Sequence, residues 1–321
     1  MSDNYVFAVA RIRAKERLLL SDADIRQMAA MPDLKMILGF LEEHGWGEDG
    51  ETDMESMLAA EEEKTRQLMN QLGVEGSSME VLFYPQIYHN LKAAIKEICT
   101  EEENRDAFYP HERFGREQML KILRDGPYAA LPGHMQKVAR EAKELMLTTR
   151  DGQRCDFMVD RACLDAQESV AETTKDALLA DYLESQVAVS DIRIAVRAQK
   201  TGRPLNVIQE ALAPCHSLDV KALARAAVEG EENIHAFLEG HGYAEGSAAL
   251  KESFASFERW CDDRLTKAIL PQKRGMDTSG PIVAYYLAKQ NEIKMVRILL
   301  TAKANGFPDE VITERIRQMY G

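Results

Sequence analysis

The sequence has little that would let it cross a membrane or be held together by disulfides. Stretches without a charged residue, such as Thr278 to Ala288, reach only eleven residues, whereas a helix that spans a bilayer needs about 20. The five cysteines are scattered and form no Cys-x-x-Cys pair, which favours reduced thiols over a disulfide framework. Met1 to Asn4 hold no basic region ahead of an apolar run, so we expect no secretory signal.

The sequence also has fewer basic residues than acidic ones. The chain of 321 residues has 40 Lys and Arg against 53 Asp and Glu, which gives a formal net charge of −13. An acidic surface repels the phosphates of nucleic acids and the headgroups of anionic lipids. We therefore expect no nucleic-acid partner and no broad adhesion to a membrane surface, whereas partners with basic surfaces are favoured.

Motifs that carry catalysis or ligand binding are missing as well. The sequence contains no Gly-x-Ser-x-Gly, no Gly-x-x-x-x-Gly-Lys and no His-Glu-x-x-His. Gly45 to Gly50 fits Gly-x-Gly-x-x-Gly, but it follows a predicted helix instead of a strand, and its acidic residues would repel a phosphate. We predict no catalytic residue, no metal site and no cofactor. A weaker alternative is an all-α enzyme that uses the side chains of Tyr84, Tyr88, His89 and His111.

What the sequence does contain is helical periodicity. Apolar residues recur at three- and four-residue spacing, as in the series Ile282, Tyr286, Ile293, Val296 and Leu300. Alternating β-branched runs joined by hairpin turns are missing. Ser21, with Asp24 three positions on, and Pro32-Asp33 are typical helix starts. The predicted fold class is all-α.

One segment recurs with an offset of 104 positions. Residues 182–210 match residues 286–314 at ten positions, where composition alone predicts roughly two. Both copies place a glycine and then a proline near their ends, namely Gly202 and Pro204, and Gly306 and Pro308. Because glycine closes a helix in the left-handed conformation and proline favours the start of the next, each copy is predicted to end in a helix–turn–helix corner.

Weaker repeats indicate that a unit of about a hundred residues occurs three times. Phe40 to Trp46 recurs as Phe237 to Tyr243, 197 positions later, and the triplets that begin at Asn90, Asp191 and Glu292 align with an offset of 101. We predict three similar helical subdomains in an approximate pseudo-threefold arrangement, at residues 1–109, 110–214 and 215–321. Residues 1–30 are expected to pack with the third.

A basic stripe interrupts the acidic sequence. Arg193, Arg197 and Lys200 fall at positions i, i+4 and i+7 of a predicted helix, so they share one face. A solvated helix face is the simpler interpretation, and docking of an acidic partner is the alternative.

Three stretches carry a resemblance to a known family. They are Pro281 to Gly306, the opening from Tyr5 to Ala14, and His89 to Lys92. Together with the length and the triplicated unit, they resemble the C subunit of the prokaryotic V-type and A-type rotary ATPases, the counterpart of the eukaryotic d subunit. The likeness covers essentially the full chain. Asp191 stands where the first copy has Asn90, so that position is not uniform among the copies.

The resemblance implies a non-catalytic adaptor. In that family three helical subdomains form a funnel on the membrane proteolipid rotor ring and receive the foot of the shaft, which the D and F subunits form. The implied role is to transmit torque between ATP turnover and proton or sodium-ion transport, at the cytoplasmic face of the membrane and with no small-molecule substrate. A helical-repeat scaffold of another multisubunit assembly is the alternative that the same repeats allow.

Overall fold

Helices account for every regular element that the structure describes. The computed structural model describes residues 2–47, 53–73, 78–109, 113–275 and 278–321, and within these ranges it contains no strand. The predicted all-α fold class is confirmed. The α-helices are α1 (Ser2–Glu16), α2 (Asp22–Ala29), α3 (Leu34–Glu43), α4 (Met54–Gln71), α5 (Tyr84–Thr100), α6 (Arg116–Asp125), α7 (Gly133–Thr149), α8 (Gly152–Thr173), α9 (Ala177–Lys200), α10 (Leu205–Ala211), α11 (Val220–Glu229), α12 (Glu231–Gly240), α13 (Ala244–Glu252), α14 (Phe254–Ile269), α15 (Gly280–Ala304) and α16 (Asp309–Glu314).

The chain divides into two compact units. One consists of Met1–Met79 together with Tyr243–Gly321, and the other is Glu80–Gly242. The first unit therefore contains both ends of the chain, with residues 1–30 in the same unit as the C-terminal segment. The three subdomains and their pseudo-threefold arrangement stay a prediction.

The first unit is built around α15, the longest of the helices described. Helices α1, α2, α3, α4 and α14 all pack against it. Its buried side chains Ile293, Val296, Leu299 and Leu300 share one apolar core with residues of α2, α3 and α4, including Ile25, Met28, Ile37, Leu41 and Leu58. Burial of each such side chain contributes about 1.5–3 kcal/mol, so the apolar periodicity of α15 organises this unit.

The second unit is built from α5 to α12. Helix α5 packs against α6, α7 and α8; α8 packs against α7, α9 and α10; and α11 packs against α9, α10 and α12. The central stretch of α9 is buried almost throughout, with Val187, Ile192 and Val196 at 1% exposure or less. A helix buried on most of its circumference needs neighbours on several sides, which α8, α10 and α11 supply.

The predicted helix–turn–helix corners are present in both copies. Gly202 has φ of 63° and Gly306 has φ of 66°, the left-handed conformation that glycine adopts without strain. After each glycine the next backbone N–H reaches back across the turn: Arg203 donates to the Ala198 carbonyl and Phe307 to the Ala302 carbonyl, both at 3.0 Å. This is the bonding of a Schellman motif. Pro204 and Pro308 are the N-cap residues of α10 and α16.

The repeated segments Phe40 to Trp46 and Phe237 to Tyr243 also share the same local structure. The His44 ring stacks on Phe40 with 4.1 Å between centroids, and the His241 ring stacks on Phe237 at 4.0 Å. In each case the histidine Nδ1 lies 2.8 Å from the phenylalanine carbonyl oxygen in the last turn of the helix. These histidines therefore cap helices. Residues 48–50 of the glycine-rich stretch lie outside the described residues.

Helices α2, α3 and α15 begin at the residues that the sequence predicts as helix starts. The Ser21 hydroxyl accepts a hydrogen bond from the backbone N–H of Asp24, and the Asp24 carboxylate accepts one from the Ser21 N–H, which completes a capping box. Asp33 caps α3 by accepting from the Met36 N–H at 2.9 Å. Pro281 lies in the first turn of α15, where its missing N–H leaves no bond unmade.

A polar residue is buried at the equivalent position of three helices. Asn90 on α5 and Asp191 on α9 are completely buried, and Glu292 on α15 is 1% exposed. Asn90 donates to the carbonyls of Tyr109 and Phe114 and accepts from the Tyr109 N–H. Asp191 accepts from the Ala213 N–H at 2.9 Å. In each case, the buried polar side chain forms a hydrogen bond with backbone groups of a non-helical segment, which have no partner within a helix.

Glu292 performs this role within a buried charge cluster. One of its carboxylate oxygens accepts from the Leu20 N–H at 2.7 Å and the other from Lys289 Nζ at 2.6 Å. Lys289 also lies 2.8 Å from the Glu61 carboxylate and over the Trp46 ring. Burial lowers the pKa of Lys289, but the Glu292 and Glu61 carboxylates raise it by more, so the amine stays charged. The cluster ties α15 to α4 and to the segment after α1.

Replacement of Glu292 by alanine should cost about 3–5 kcal/mol of unfolding free energy, because it leaves the Leu20 N–H unpaired and Lys289 with one carboxylate fewer. Urea denaturation at neutral pH measures the loss. Glu310→Ala, at an exposed position of α16, is the control and should change the unfolding free energy by less than about 0.5 kcal/mol. A Glu292→Ala variant as stable as the control would contradict the role given to this carboxylate.

The stability of the protein should depend on the protonation of Asp191. Burial raises the pKa of this carboxyl well above its usual value of 3.8, although the Ala213 N–H lowers it in part. The folded protein then holds the proton more tightly than the unfolded chain. The resulting stabilisation is complete at a pH below 3.8 and is lost as the pH rises through the folded-state pKa.

Asp191→Asn, which places in the second copy the residue found in the first, removes this titration. The unfolding free energy of the variant relative to the original chain should therefore increase as the pH rises from about 4 to about 8. Chemical denaturation across that range measures the difference, with Asp181→Asn on the exposed surface of the same helix as the matched variant. If the difference in unfolding free energy between Asp191→Asn and the original chain is constant across this pH range, the raised pKa assigned to Asp191 is wrong.

Candidate functional site

The predicted basic stripe lies at the C-terminal end of α9. Arg197 and Lys200 are exposed and belong to the last turn, and Arg193 is half-buried one turn earlier. The structure therefore brings the three side chains to one helix face, with two of them open to solvent. Carbonyl groups at the end of a helix carry partial negative charge, so cations here also stabilise the helix itself by about 0.3–1 kcal/mol each.

The corner after the stripe is held by polar contacts. Arg203 donates to the Asp151 carboxylate at 3.2 Å, and the Gln153 side-chain amide donates to the Thr201 hydroxyl at 3.2 Å. Asp151 in turn caps α8 by accepting from the Arg154 N–H. These bonds fix the end of α9 against the start of α8. The exposed charges of the stripe consequently stand on a well-anchored helix end.

The aromatic and histidine group of the enzyme alternative is divided among separate partners. The Tyr88 hydroxyl lies 2.8 Å from Nδ1 of His134, a residue of α7 that the sequence pattern does not single out. His89, although adjacent to Tyr88, points Nε2 to the Ala107 carbonyl oxygen at 2.9 Å. His111 lies outside the described residues. Among the described residues, the side chains of Tyr88 and His89 thus make hydrogen bonds to different partners.

Burial shapes the acid–base properties of this group. It lowers the pKa of both His89 and His134, which favours neutral imidazoles, and it raises the pKa of the Tyr88 hydroxyl. A neutral imidazole beside a protonated phenol forms an ordinary hydrogen bond. The Tyr84 ring also contacts the His134 ring in a tilted arrangement, with 4.5 Å between centroids. These contacts join α5 to α7 as packing interactions.

A charged cleft lies between α5 and α6. Its volume is about 860 Å³, and its lining includes Glu97, Glu103 and Arg116. Arg116 forms a two-pronged ion pair with Glu97, at 2.6 and 3.0 Å, and reaches Glu103 at 2.7 Å. Arg116 of α6 therefore pairs with a carboxylate of α5, which holds α6 on α5.

Within the described ranges, no helix combines the length and hydropathy that crossing a membrane requires.

Comparison with known proteins gives consistent matches along the chain. The family described as ATP synthase (C/AC39) subunit matches residues 8–315. The C subunit of the V-type sodium ATPase of Enterococcus hirae is 25% identical over 325 aligned residues, covering 96% of this chain and 97% of that protein. The C subunit of the A-type ATP synthase of Thermococcus kodakarensis is 22% identical over 344 residues, covering 98% of this chain and 91% of that protein.

These matches confirm the resemblance that the sequence motifs carry. Both relatives align over more than nine-tenths of their length, so the likeness is to the whole subunit and not to one fragment of it. The family match begins within α1 and ends just after α16, and so spans both compact units. The chain belongs to the ATP synthase (C/AC39) subunit family.

Proposed function

We propose that this protein is the non-catalytic central-stalk subunit of a V-type or A-type rotary ATPase. In this role it links the D and F subunits, which form the shaft of the soluble ATPase sector, to the membrane proteolipid ring. It transmits torque between them, which couples ATP hydrolysis or synthesis to the transport of protons or sodium ions. The observation that carries the proposal is the family match over residues 8–315.

The internal construction of the units suits a part that transmits force. Tight corners join long helices to short ones, and buried polar side chains fasten intervening segments to helix middles. Each such hydrogen bond or ion pair must break before the segment can move, and one buried bond contributes about 0.5–1.5 kcal/mol. Stiffness within a unit is what a rotor component requires, because a flexible part would absorb the torque.

The placement proposed for the protein follows from its role. It sits peripherally at the cytoplasmic face of the membrane, with three subdomains at residues 1–109, 110–214 and 215–321 around a central socket for the shaft. The exposed pair Arg197 and Lys200, with Arg193, contacts an acidic surface of a neighbouring protein in the complex. Complementary charges mainly set the rate and orientation of docking.

Co-purification tests the assignment to a rotary ATPase. A tagged copy of the chain, isolated with its membranes in mild detergent, should bring down the shaft subunits and the small ring proteolipids, and mass spectrometry identifies them. Recovery of a different set of subunits would favour the alternative, a helical-repeat scaffold of another assembly. Recovery of the chain alone under conditions that preserve the ATPase complex would contradict both.

Charge reversal tests the basic stripe. The double variant Arg197→Glu and Lys200→Glu should weaken binding to the shaft subunits about tenfold or more at low salt, and the effect should shrink as salt is added. Arg193 is left unchanged because it is half-buried. The control is Lys221→Glu with Arg225→Glu, an exposed pair on α11 of the same unit.

The two double variants change the net charge equally, so a general electrostatic effect would weaken binding in both. A specific role for the stripe predicts a loss only in the Arg197 and Lys200 variant. Equal affinities of this variant and the unaltered chain, measured by biolayer interferometry, would show that the stripe is a solvated helix face. Circular dichroism checks that both variants keep the helical fold.

A further inference from the structure

Three potential metal ligands converge near the C-terminal end of α8. Glu168 and Glu172 lie one turn apart on the same face of this helix. His216 belongs to the segment between α10 and α11, and its Nε2 lies 3.8 Å from Glu168 Oε1 and 4.0 Å from Glu172 Oε1. One ligand atom from each residue can be chosen so that all lie within 4.8 Å of one another.

These separations are too long for hydrogen bonds and close to those between ligands of one metal ion. A hydrogen bond between nitrogen and oxygen has a length of about 2.7–3.2 Å. A zinc ion bound to nitrogen and oxygen at about 2.0–2.2 Å separates its ligand atoms by about 3–4 Å. The imidazole and the two carboxylates, whose ligand atoms lie within 4.8 Å of one another, therefore surround a point that a cation can occupy once these side chains draw together by about 1 Å.

Glu168 provides an independent reason for a ligand at this point. Only 9% of its surface is exposed, and its Oε2 is buried without a hydrogen-bond partner among the described residues. An acceptor left unpaired on a buried carboxylate is unfavourable. A cation bound by the Glu168 carboxylate supplies that missing partner.

The segment that carries His216 is already positioned from the other side. The carboxylate of Glu184 on α9 accepts a hydrogen bond from the Ser217 N–H at 2.7 Å. Asp191, on the same helix, accepts from the Ala213 N–H. Two backbone bonds thus hold residues 213–217 beside α8 and α9. This pre-orders His216 near the carboxylates, so that little loop entropy remains to be lost on metal binding.

We propose that Glu168, Glu172 and His216 bind a divalent transition-metal cation of the zinc class. One imidazole nitrogen with carboxylate oxygens is a donor set that suits zinc and its first-row neighbours, and water completes the coordination. The bound ion fastens the segment between α10 and α11 to the end of α8. Its role is structural, and it acts within the second unit alone.

Sequence spacing does not reveal this site. Glu168 and Glu172 are one helical turn apart, a spacing found on many solvated helices. His216 comes later, in the segment between α10 and α11, and no other cysteine or histidine lies at zinc-ligand spacing from it. The prediction from the sequence that the chain has no metal site depended on local motifs. The three residues lie close together because α9 and α10 bring the chain back to α8, and this return depends on tertiary packing.

Zinc titration of the purified full-length chain tests the proposal. Isothermal titration calorimetry should detect one Zn²⁺ ion per chain, and both His216→Ala and Glu168→Gln should weaken its binding at least about tenfold. A saturating excess of Zn²⁺ should raise the Tm of the unaltered chain by roughly 5 °C and leave the Tm of His216→Ala unchanged. Both effects should reverse when a chelator is added.

Matched variants separate this site from non-specific binding. His241→Gln removes another histidine of the same unit, and Glu144→Gln removes a carboxylate of α7; both should bind Zn²⁺ as the unaltered chain does. If all variants bind zinc equally, or if the unaltered chain binds none, the proposal is wrong. Because Glu168→Gln is nearly isosteric and His216 is exposed, both variants should fold, and circular dichroism verifies this.

Discussion

The structure depends on the pairing of backbone groups that a helical chain leaves open. Every helix end and every connecting segment presents N–H and C=O groups without intrahelical partners, and each one that is buried unpaired costs about 1–3 kcal/mol. Here a polar side chain in the middle of a long helix supplies the partner. Asn90, Asp191 and Glu292 each do so from the equivalent place in the repeat, within a surrounding of apolar side chains.

The three residues form these hydrogen bonds to the backbone with different chemical groups. The amide of Asn90 both donates and accepts, so it pairs with a carbonyl and an N–H of the same residue, Tyr109. Burial raises the pKa of both carboxyls. At Glu292 the neighbouring Lys289 ammonium opposes this rise, whereas at Asp191 the hydrogen bond from the Ala213 N–H opposes it. The charge of the side chain differs among the three positions, while a bond to the backbone is present at each.

Glu292 also explains how the first unit includes both ends of the chain. Its bond to the Leu20 N–H joins α15 to the segment that follows α1, and the Asp22 carboxylate accepts a hydrogen bond from the Met319 N–H at 2.9 Å. These contacts link residues that are as many as 297 positions apart. These long-range polar bonds add to the apolar core around α15 in holding the first unit together.

The sequence by itself determined the elements and the family. The Ser21 capping box, the glycines at 202 and 306 and the histidine caps at 44 and 241 all form through contacts within a few residues, so local sequence was sufficient to specify them. Only the tertiary structure decided which distant groups meet: Tyr88 with His134, Glu292 with Leu20, and Glu168 with His216. The physical reason is that these contacts depend on how helices cross and return, which is set by the packing of whole apolar faces and leaves no local signal in the chain.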